Sequence, residues 1–275
     1  MANEAFTSGF NTDALFVAAK AATVYAAHEQ SLFLGGGMIP IVNAPNGLLQ
    51  VPELASVAAT TISSEAAIGG LFGTDVDAVL SADTKNIVQC DIYAARSVLR
   101  DLGNIDPSEI GRVLGNSVSK AFDTAVVAAM EGLTASVADS DEITMDRLFD
   151  AVAQIRGAGE TGQLMGVIST ANAARLMKDI GSNAFGGGDF QTEAMRNGFL
   201  GQIAGVRLFQ SSYVGAGAGK GFIFAGDAMR IAMQKNVDVE VGRRPEAVGQ
   251  DIVASLHAGV GVIDATRGVK LINVA

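Results

Sequence analysis

The amino-acid sequence predicts an α+β fold, and three observations carry that prediction. The closing stretch from Gly198 to Ala275 is a succession of strand-like runs separated by glycine-rich turns. Its apolar residues alternate with the period of two that strands require, from Val237 to Val241 and again from Ile252 to Val262. A capped helical pattern runs from Asp106 to about Gly132, and the run QLMGVIS followed by a second helical pattern predicts a strand–helix unit.

The composition describes a tightly packed chain and excludes several kinds of site. Of the 275 residues, 49% are hydrophobic and 33 are glycine, which is typical of a turn-rich protein long enough to bury a sizeable core. Cys90 is the single cysteine, so an intramolecular disulfide and a multi-cysteine zinc site are excluded. The net charge of −10 argues against a nucleic-acid-binding surface spread over the whole molecule.

The apolar run most similar to a signal or a membrane span is Ala14 to Ala27. Lys20 interrupts it, and it falls short of the roughly 18 to 20 uninterrupted apolar residues of a span. Glu4 and Asp13 precede it where a secretory signal carries basic residues. We therefore expect no membrane partner and an intracellular product.

The first elements are predicted to be an arm and a helix. Residues 1–10 are small and polar without a period, which predicts a mobile arm. Thr12 is a candidate N-cap for an alanine-rich helix from Asp13 to about Gln30, and the glycines at 35–37 follow its end.

Extended runs around two turn signals, Asn46-Gly47 and Gly69-Gly70, then predict a long hairpin over 38–84. Such a hairpin is marginal alone in water, so we expect it to lie on another element. The run KNIVQCDIY predicts a further strand, and we interpret 94–102 as a short helix closed by Gly103.

The strongest local pattern in the sequence is the helix start at Asp106. An N-cap aspartate, Pro107 at the first helical position and Glu109 three residues after the cap favour a helix there. Apolar residues keep helical spacing to about Gly132, which gives a helix of roughly 25 residues and nearly 40 Å at ~1.5 Å per residue. A helix of that length should act as a spine on which several elements pack.

The polar passage 138–142 predicts a domain or subdomain boundary. Beyond it, Thr144 is a candidate cap for a helix that ends at Gly157. After the strand QLMGVIS, Thr170 is a candidate cap for a helix stopped by Gly181.

The glycine-rich loop 215–221 with its Lys220 invites a phosphate-binding interpretation, which fails in detail. A Walker loop needs glycine at 214 and serine or threonine at 221, where this chain has Val214 and Gly221. The next residues, GFIFAG, predict a strand, so no helix N-terminus follows to hold a phosphate. We expect a plain hairpin connection, and a nucleotide-dependent enzyme stays a rival.

Histidines, carboxylates and the cysteine give no catalytic or metal constellation. His28 lies on the alanine-rich helix and His257 on a strand, without a local serine or aspartate elbow. Cys90 is embedded in an apolar strand, where a small core residue is expected. The acidic residues that could chelate a hard cation lack the loop spacing of a calcium site: Asp75 and Asp77, and Asp139, Asp141 and Glu142.

A modest basic cluster combines Arg243-Arg244-Pro245 with Lys235 and Arg207. It suits contact with an acidic neighbouring subunit or with nucleic acid. We favour the subunit because no aromatic residues interleave with the basic ones for base stacking. We therefore predict no catalytic, cofactor-binding or metal-binding residues, no cofactor, and a protein that acts through interfaces.

The order of these parts resembles the major capsid proteins of tailed double-stranded DNA bacteriophages, which have the Hong Kong 97-like fold. The resemblance covers nearly the whole chain, and two late segments carry most of it: GFLGQIAGVRLFQSSYV, and GFIFAGDAMRIAMQ continuing to ASLHAGVGVIDATRGVKLINV. Upstream, KNIVQCDIYAARSVLRDL followed by the helix from Asp106 is similar to the family's strand, short helix and spine helix.

The resemblance implies a division of the chain into four parts. These are an N-terminal arm (1–37), an extended β-hairpin loop (38–84), a peripheral domain with the long spine helix (85–143 and 235–275), and an axial domain (144–234). The first half of the closing stretch would finish the axial domain, and the second half would return to pack on the spine helix. Some members cross-link a lysine of the extended loop to a neighbour's asparagine, and 38–84 contains no lysine, so that chemistry is not expected here.

By this resemblance the chain is a structural protein without catalysis that assembles into hexamers and pentamers of an icosahedral head around double-stranded DNA. Expected partners are copies of itself, with scaffolding, portal and decoration proteins and DNA bound without sequence specificity. It would be located in the virion and assembled in the host cytoplasm. The rivals are an encapsulin-like bacterial nanocompartment shell, the nucleotide-dependent enzyme, and an adhesin or tail-structure protein.

Overall fold

The computed structural model of the chain describes residues 12–35, 37–53, 84–100, 107–139, 143–182, 199–215 and 219–273, which form two β-sheets, a two-stranded ribbon and four α-helices. The helices are α1 (Thr12–Gln30), α2 (Pro107–Met130), α3 (Met145–Gly157) and α4 (Thr170–Ser182). The prediction of an α+β fold is confirmed.

A four-stranded sheet has the order β1-β10-β11-β4 and is built on a long antiparallel hairpin. Its strands are β1 (Ile41–Asn43), β4 (Asp91–Arg100), β10 (Met229–Arg244) and β11 (Gly249–Val262). A six-stranded sheet has the order β5-β12-β9-β6-β8-β7. Its strands are β5 (Ala135–Asp139), β6 (Leu164–Ser169), β7 (Phe199–Ile203), β8 (Val206–Ser211), β9 (Gly219–Ala225) and β12 (Gly268–Asn273).

The third β element is a ribbon of two antiparallel strands, β2 (Leu48–Glu53) and β3 (Thr84–Gln89). Strand β2 lies within the hairpin predicted over 38–84, whereas β3 belongs to the run KNIVQCDIY, which is predicted as a separate strand. Residues 54–83 of the predicted hairpin lie outside the described residues. The start of the predicted hairpin departs from the prediction, because residues 41–43 form β1, which pairs in parallel with β10 of the four-stranded sheet.

Helix α2 packs along one face of the four-stranded sheet, on β11 and β4. It is 24 residues long, which confirms the helix predicted from Asp106. Phe122 of α2 is fully buried and meets Tyr93 of β4 edge to face, with ring centroids 5.7 Å apart. Alternate residues of β11 face the same core, where each is fully buried: Ile252, Ala254, Leu256 and Ala258.

Helix α1 lies beside α2 and also packs on β10. The two helices approach closely because glycines of α2 face small residues of α1. A Cβ at Gly111 would lie 2.5 Å from the carbonyl oxygen of Ala19, and one at Gly115 would collide with the carbonyl oxygen of Thr23. The described part of the predicted N-terminal arm is therefore docked on α2.

The six-stranded sheet forms a second core with α3 and α4. Its central strand is β6, whose six residues are all buried, with β8 parallel on one side and β9 antiparallel on the other. Apolar residues of the two helices, among them Leu148, Ile155 and Leu176, cover it.

The chain changes sheets twice in its closing stretch, and this corrects the expected path. It leaves the six-stranded sheet at Ala225 and enters the four-stranded sheet at Met229, so the predicted boundary between 234 and 235 falls inside β10. Residues of β10 and β11 share the core of α2, as expected. Strand β12, however, returns to the six-stranded sheet, where it pairs with β5 and β9.

The short helix predicted over 94–102 is wrong, because residues 91–100 form β4. Its ten residues pair with β11 from Ala258 to Gly249, and this ladder overrides the helix preference of Ala94, Ala95 and Arg96. Arg96 and Asp251 also form an ion pair across the two strands.

Two predicted caps differ in detail. Thr144 occupies the N-cap position of α3 but its side chain makes no cap hydrogen bond. Helix α4 begins at Thr170, and the hydroxyl of Ser169 accepts from the amide of Asn172 at 3.3 Å. The cap of α4 is therefore Ser169, one residue before the predicted one.

We predict that Gly115→Ala destabilises the chain by about 1–3 kcal/mol, because an added methyl group forces α1 away from α2 and outweighs the helix propensity of alanine. Urea unfolding measures the change. The matched control is Gly157→Ala at the end of α3, where a Cβ meets nothing within 4 Å, so stability should stay equal or rise by up to about 1 kcal/mol. Equal stability of both variants would contradict the close packing of α1 on α2.

Candidate functional site

The two histidines lie on different elements. His28 of α1 has its Nε2 atom 3.5 Å from Nδ2 of Asn236. His257 of β11 is half-buried, and its register partners are Ile92 and Lys235. These neighbours are an amide, an aliphatic side chain and an ammonium group, which supports the interpretation of both histidines as structural residues.

Metal-ligating residues do not converge in the part of the chain that the structure describes, where no group of three or more His, Cys, Asp or Glu side chains could hold an ion. Asp139 ends β5, whereas Asp75, Asp77, Asp141 and Glu142 lie outside the described residues. Cys90 is half-buried beside the carbonyl oxygen of Ala232, and burial raises the pKa of its thiol. A protonated thiol is a poor nucleophile.

The 215–221 loop leads into a strand, as predicted, since β9 begins at Gly219. It is not a hairpin connection, however, because β6 lies between β8 and β9 in the sheet. The ammonium group of Lys220 donates to the carbonyl oxygen of Gly215 at 3.0 Å. The lysine thus closes the ends of its own loop, of which 216–218 lie outside the described residues.

The predicted basic cluster is not one surface. Arg243 and Arg244 end β10, whereas Arg207 lies on β8 in the other sheet. Lys235 pairs with Asp238 at 2.9 Å and with Glu240 at 3.6 Å. These carboxylates neutralise Lys235, which weakens its interpretation as a nucleic-acid contact.

One face of the β2–β3 ribbon presents two apolar side chains to solvent, beside the exposed side chains of Gln50 and Gln89. Leu48 of β2 is 49% exposed and Ile87 of β3 is 60% exposed. Leu48 pairs with Gln89, and Ile87 pairs with Gln50, so the two apolar side chains are diagonal neighbours on one face. We call this face, defined by Leu48 and Ile87, the outer ribbon face.

The opposite face of the ribbon is seated on the four-stranded sheet. Val88 is buried in a small cluster with Ala44 and Ala232. The strand end approaches β11 at two glycines: a Cβ at Gly259 would collide with the carbonyl oxygen of Gln89, and one at Gly261 would lie 2.5 Å from a methyl carbon of Val88.

Further exposed apolar side chains lie on five other elements of the described chain and in one turn. They lie on α1, α2, α3, α4, β4 and the turn before β11: Val17, Tyr25, Ile92, Val113, Phe149, Met177 and Val248. The sequence alone does not identify these side chains, because tertiary packing decides which apolar residues stay exposed.

The described helices include none that is both long and apolar enough to cross a membrane.

No family model matches the chain, and no curated protein matches it. Solved structures match its fold. A chain from Mycobacterium phage Che8 aligns with a TM-score of 0.64 at 16% identity, covering 82% of this chain and 84% of that one. The capsid of the cyanophage P-SCSP1u aligns with a TM-score of 0.63 at 14% identity, covering 86% of each chain.

A third match is the virus-like particle from Pyrococcus furiosus, with a TM-score of 0.65 at 11% identity, covering 93% of this chain and 98% of that one. The similarity extends over most of both chains in all three cases. The chain therefore has the α+β fold of phage capsid proteins. This confirms the Hong Kong 97-like fold expected from the sequence as an overall fold, without its division into arm, loop, peripheral and axial parts.

We predict that Gly259→Ala loosens the ribbon, because the added methyl group meets backbone atoms that cannot rotate away. Hydrogen exchange of residues 84–89 should become faster, and limited proteolysis of the ribbon should increase. Gly242→Ala is the matched control on β10, where a Cβ meets nothing within 4 Å. Unchanged exchange in Gly259→Ala would show that the ribbon is not held by this contact.

Proposed function

We propose that the chain is a structural major capsid protein that self-assembles into hexamers and pentamers of an icosahedral phage head enclosing double-stranded DNA. The observation that carries the proposal is the similarity of fold to phage capsid proteins over more than 80% of both chains. The role requires no catalysis, since a shell protein acts by binding copies of itself.

The parts of the chain take the family's roles in this proposal. Helix α2 is the spine helix of a peripheral domain (85–143 and 235–275). Strand β2 of the ribbon belongs to the extended loop (38–84), and its partner β3 joins that loop to the peripheral domain. The six-stranded sheet with α3 and α4 is the core of the axial domain (144–234), to which β5 and β12 add edge and inner strands from outside that range. Residues 1–37 form the arm, whose helix is docked on α2.

The exposed apolar side chains support assembly through many contacts. One subunit with several different neighbours needs contact surfaces on several sides, and interfaces of about 1,000 Å² that are individually weak hold collectively. Head-to-tail contacts of this kind close into rings. In the proposal the outer ribbon face lies on a neighbouring subunit, where Leu48 and Ile87 become buried.

The proposed partners follow from the shell role. They are further copies of the chain, with scaffolding, portal and decoration proteins, and DNA held without sequence specificity. The net charge of −10 favours a wall that does not grip packaged DNA tightly. The protein is then assembled in the host cytoplasm and located in the virion.

A second candidate is an encapsulin-like nanocompartment shell that encloses protein cargo. The virus-like particle from Pyrococcus furiosus favours it, because its match covers 93% of this chain and 98% of that one. The two candidates share self-assembly and differ in what the shell contains.

Expression of the full chain tests both candidates. We expect uniform closed particles in negative-stain electron microscopy, because the fold is that of shell proteins. Nuclease-protected DNA in particles from the native source supports the phage head, and protein cargo supports the nanocompartment. A small stable monomer under all assembly conditions would contradict both.

A point substitution tests the outer ribbon face. Ile87→Lys should leave a folded subunit but reduce particle yield at least tenfold, since a lysine buried at a contact without a partner costs several kcal/mol. The control Ile87→Val keeps the face apolar and should assemble normally. Size-exclusion chromatography with electron microscopy measures the yield. Normal assembly of Ile87→Lys would show that the outer ribbon face is not a contact between subunits.

A further inference from the structure

Asp123 of α2 is a carboxylate buried between two helices. Its relative exposure is 1%, and it faces the turn that follows α1. The hydroxyl of Ser31 donates to its Oδ1 at 2.6 Å, and the amide of Leu32 donates to its Oδ2 at 3.1 Å. The backbone amide of Phe33 also interacts with it.

The groups around this carboxylate are neutral donors. Among the residues that the structure describes, no lysine, arginine or histidine forms an ion pair with Asp123, and the titratable group that faces it is Tyr213, in the turn after β8. A buried carboxylate without a cation costs free energy when it is ionised. Burial, opposed by the hydrogen bonds from Ser31, Leu32 and Phe33, raises its pKa to about 6.

The same turn fixes α1 to the rest of the molecule. Ser31 is hydrogen-bonded to the end of α1 through its amide and the carbonyl oxygen of Ala27, and its hydroxyl accepts from the amide of Leu34. Phe33 and Leu34 then enter the main core. Whatever Asp123 does to this turn is therefore transmitted to α1.

We propose that Asp123 makes the docking of α1 on α2 depend on pH, with docking tighter when the carboxyl is protonated. A protonated Asp123 carries no buried charge, and its unprotonated oxygen still accepts the hydrogen bond from the Ser31 hydroxyl. The ionised form accepts from both the Ser31 hydroxyl and the Leu32 amide but carries the burial penalty. Loss of a proton thus loosens the arm without unfolding the sheet beneath it.

The direction of the pH effect on docking follows from the coupling between proton binding by Asp123 and docking of α1. The docked carboxyl binds its proton more tightly than an exposed one, whose ordinary pKa is 3.8, so docking gains strength as pH falls through about 6. Between pH 7.5 and 5 the docking equilibrium changes about tenfold. The other carboxylate that holds α1, Asp238, stays ionised over this range, because hydrogen bonds from Lys20 and Lys235 hold its pKa well below the usual value.

Hydrogen exchange on the full chain tests the proposal. After correction for intrinsic rates, amides of 19–34 should be protected about tenfold more at pH 5 than at pH 7.5, and Asp123→Asn should abolish the difference. Asp238→Asn is the matched control, since it removes the 2.7 Å ion pair with Lys20 of α1 but should keep the pH dependence. Because histidines change charge in this range, His28→Gln should also keep it.

A second variant covers the case in which Asp123→Asn does not fold. Ser31→Ala removes a donor to the ionised carboxylate, so the midpoint of the change should move to higher pH. Protection of α1 that is equal at both pH values in the wild-type chain, a tenfold change that persists in Asp123→Asn, or an unmoved midpoint in Ser31→Ala would each overturn the proposal.

Discussion

The packing of α2 on β11 is the contact on which the rest of the structure depends. One face of β11 buries Ile252, Ala254 and Leu256 against α2, and its other face receives the ribbon at Gly259 and Gly261. The same sheet carries α1 through β10, and α1 touches α2 through its glycines. Helix α2 and strand β11 thus position both the arm helix α1 and the ribbon.

The described structure places several of the polar side chains considered as site candidates in contacts within the fold. His28, Cys90 and Lys220 each contact a polar group of the chain itself, whereas apolar side chains remain exposed on the ribbon and on the helices. Two short described connections, 226–228 and 263–267, join the sheets, and Phe222 and Phe224 of β9 lie in the core shared with α2.

Local patterns in the sequence predicted the elements whose signals are local. The cap at Asp106 and the period of the following apolar residues sufficed for α2, and alternation sufficed for β10 and β11. The helix predicted over 94–102 failed because its alanines and arginine favour a helix locally, while the β11 ladder, about 155 positions away, decides for a strand. The return of β12 to the other sheet and the burial of Asp123 by Ser31 are likewise long-range pairings without a local pattern. The order of parts, rather than any single motif, indicated the capsid-type fold.

The most direct test of the shell function is a cryo-electron microscopy reconstruction of particles formed by the full chain. The proposed function predicts a closed shell in which α2 and the four-stranded sheet keep the packing described and the outer ribbon face, Leu48 and Ile87, is covered by a neighbouring copy. Particles in which this face remains in solvent would contradict the proposed contact, and a chain that forms no closed particle would contradict the function itself.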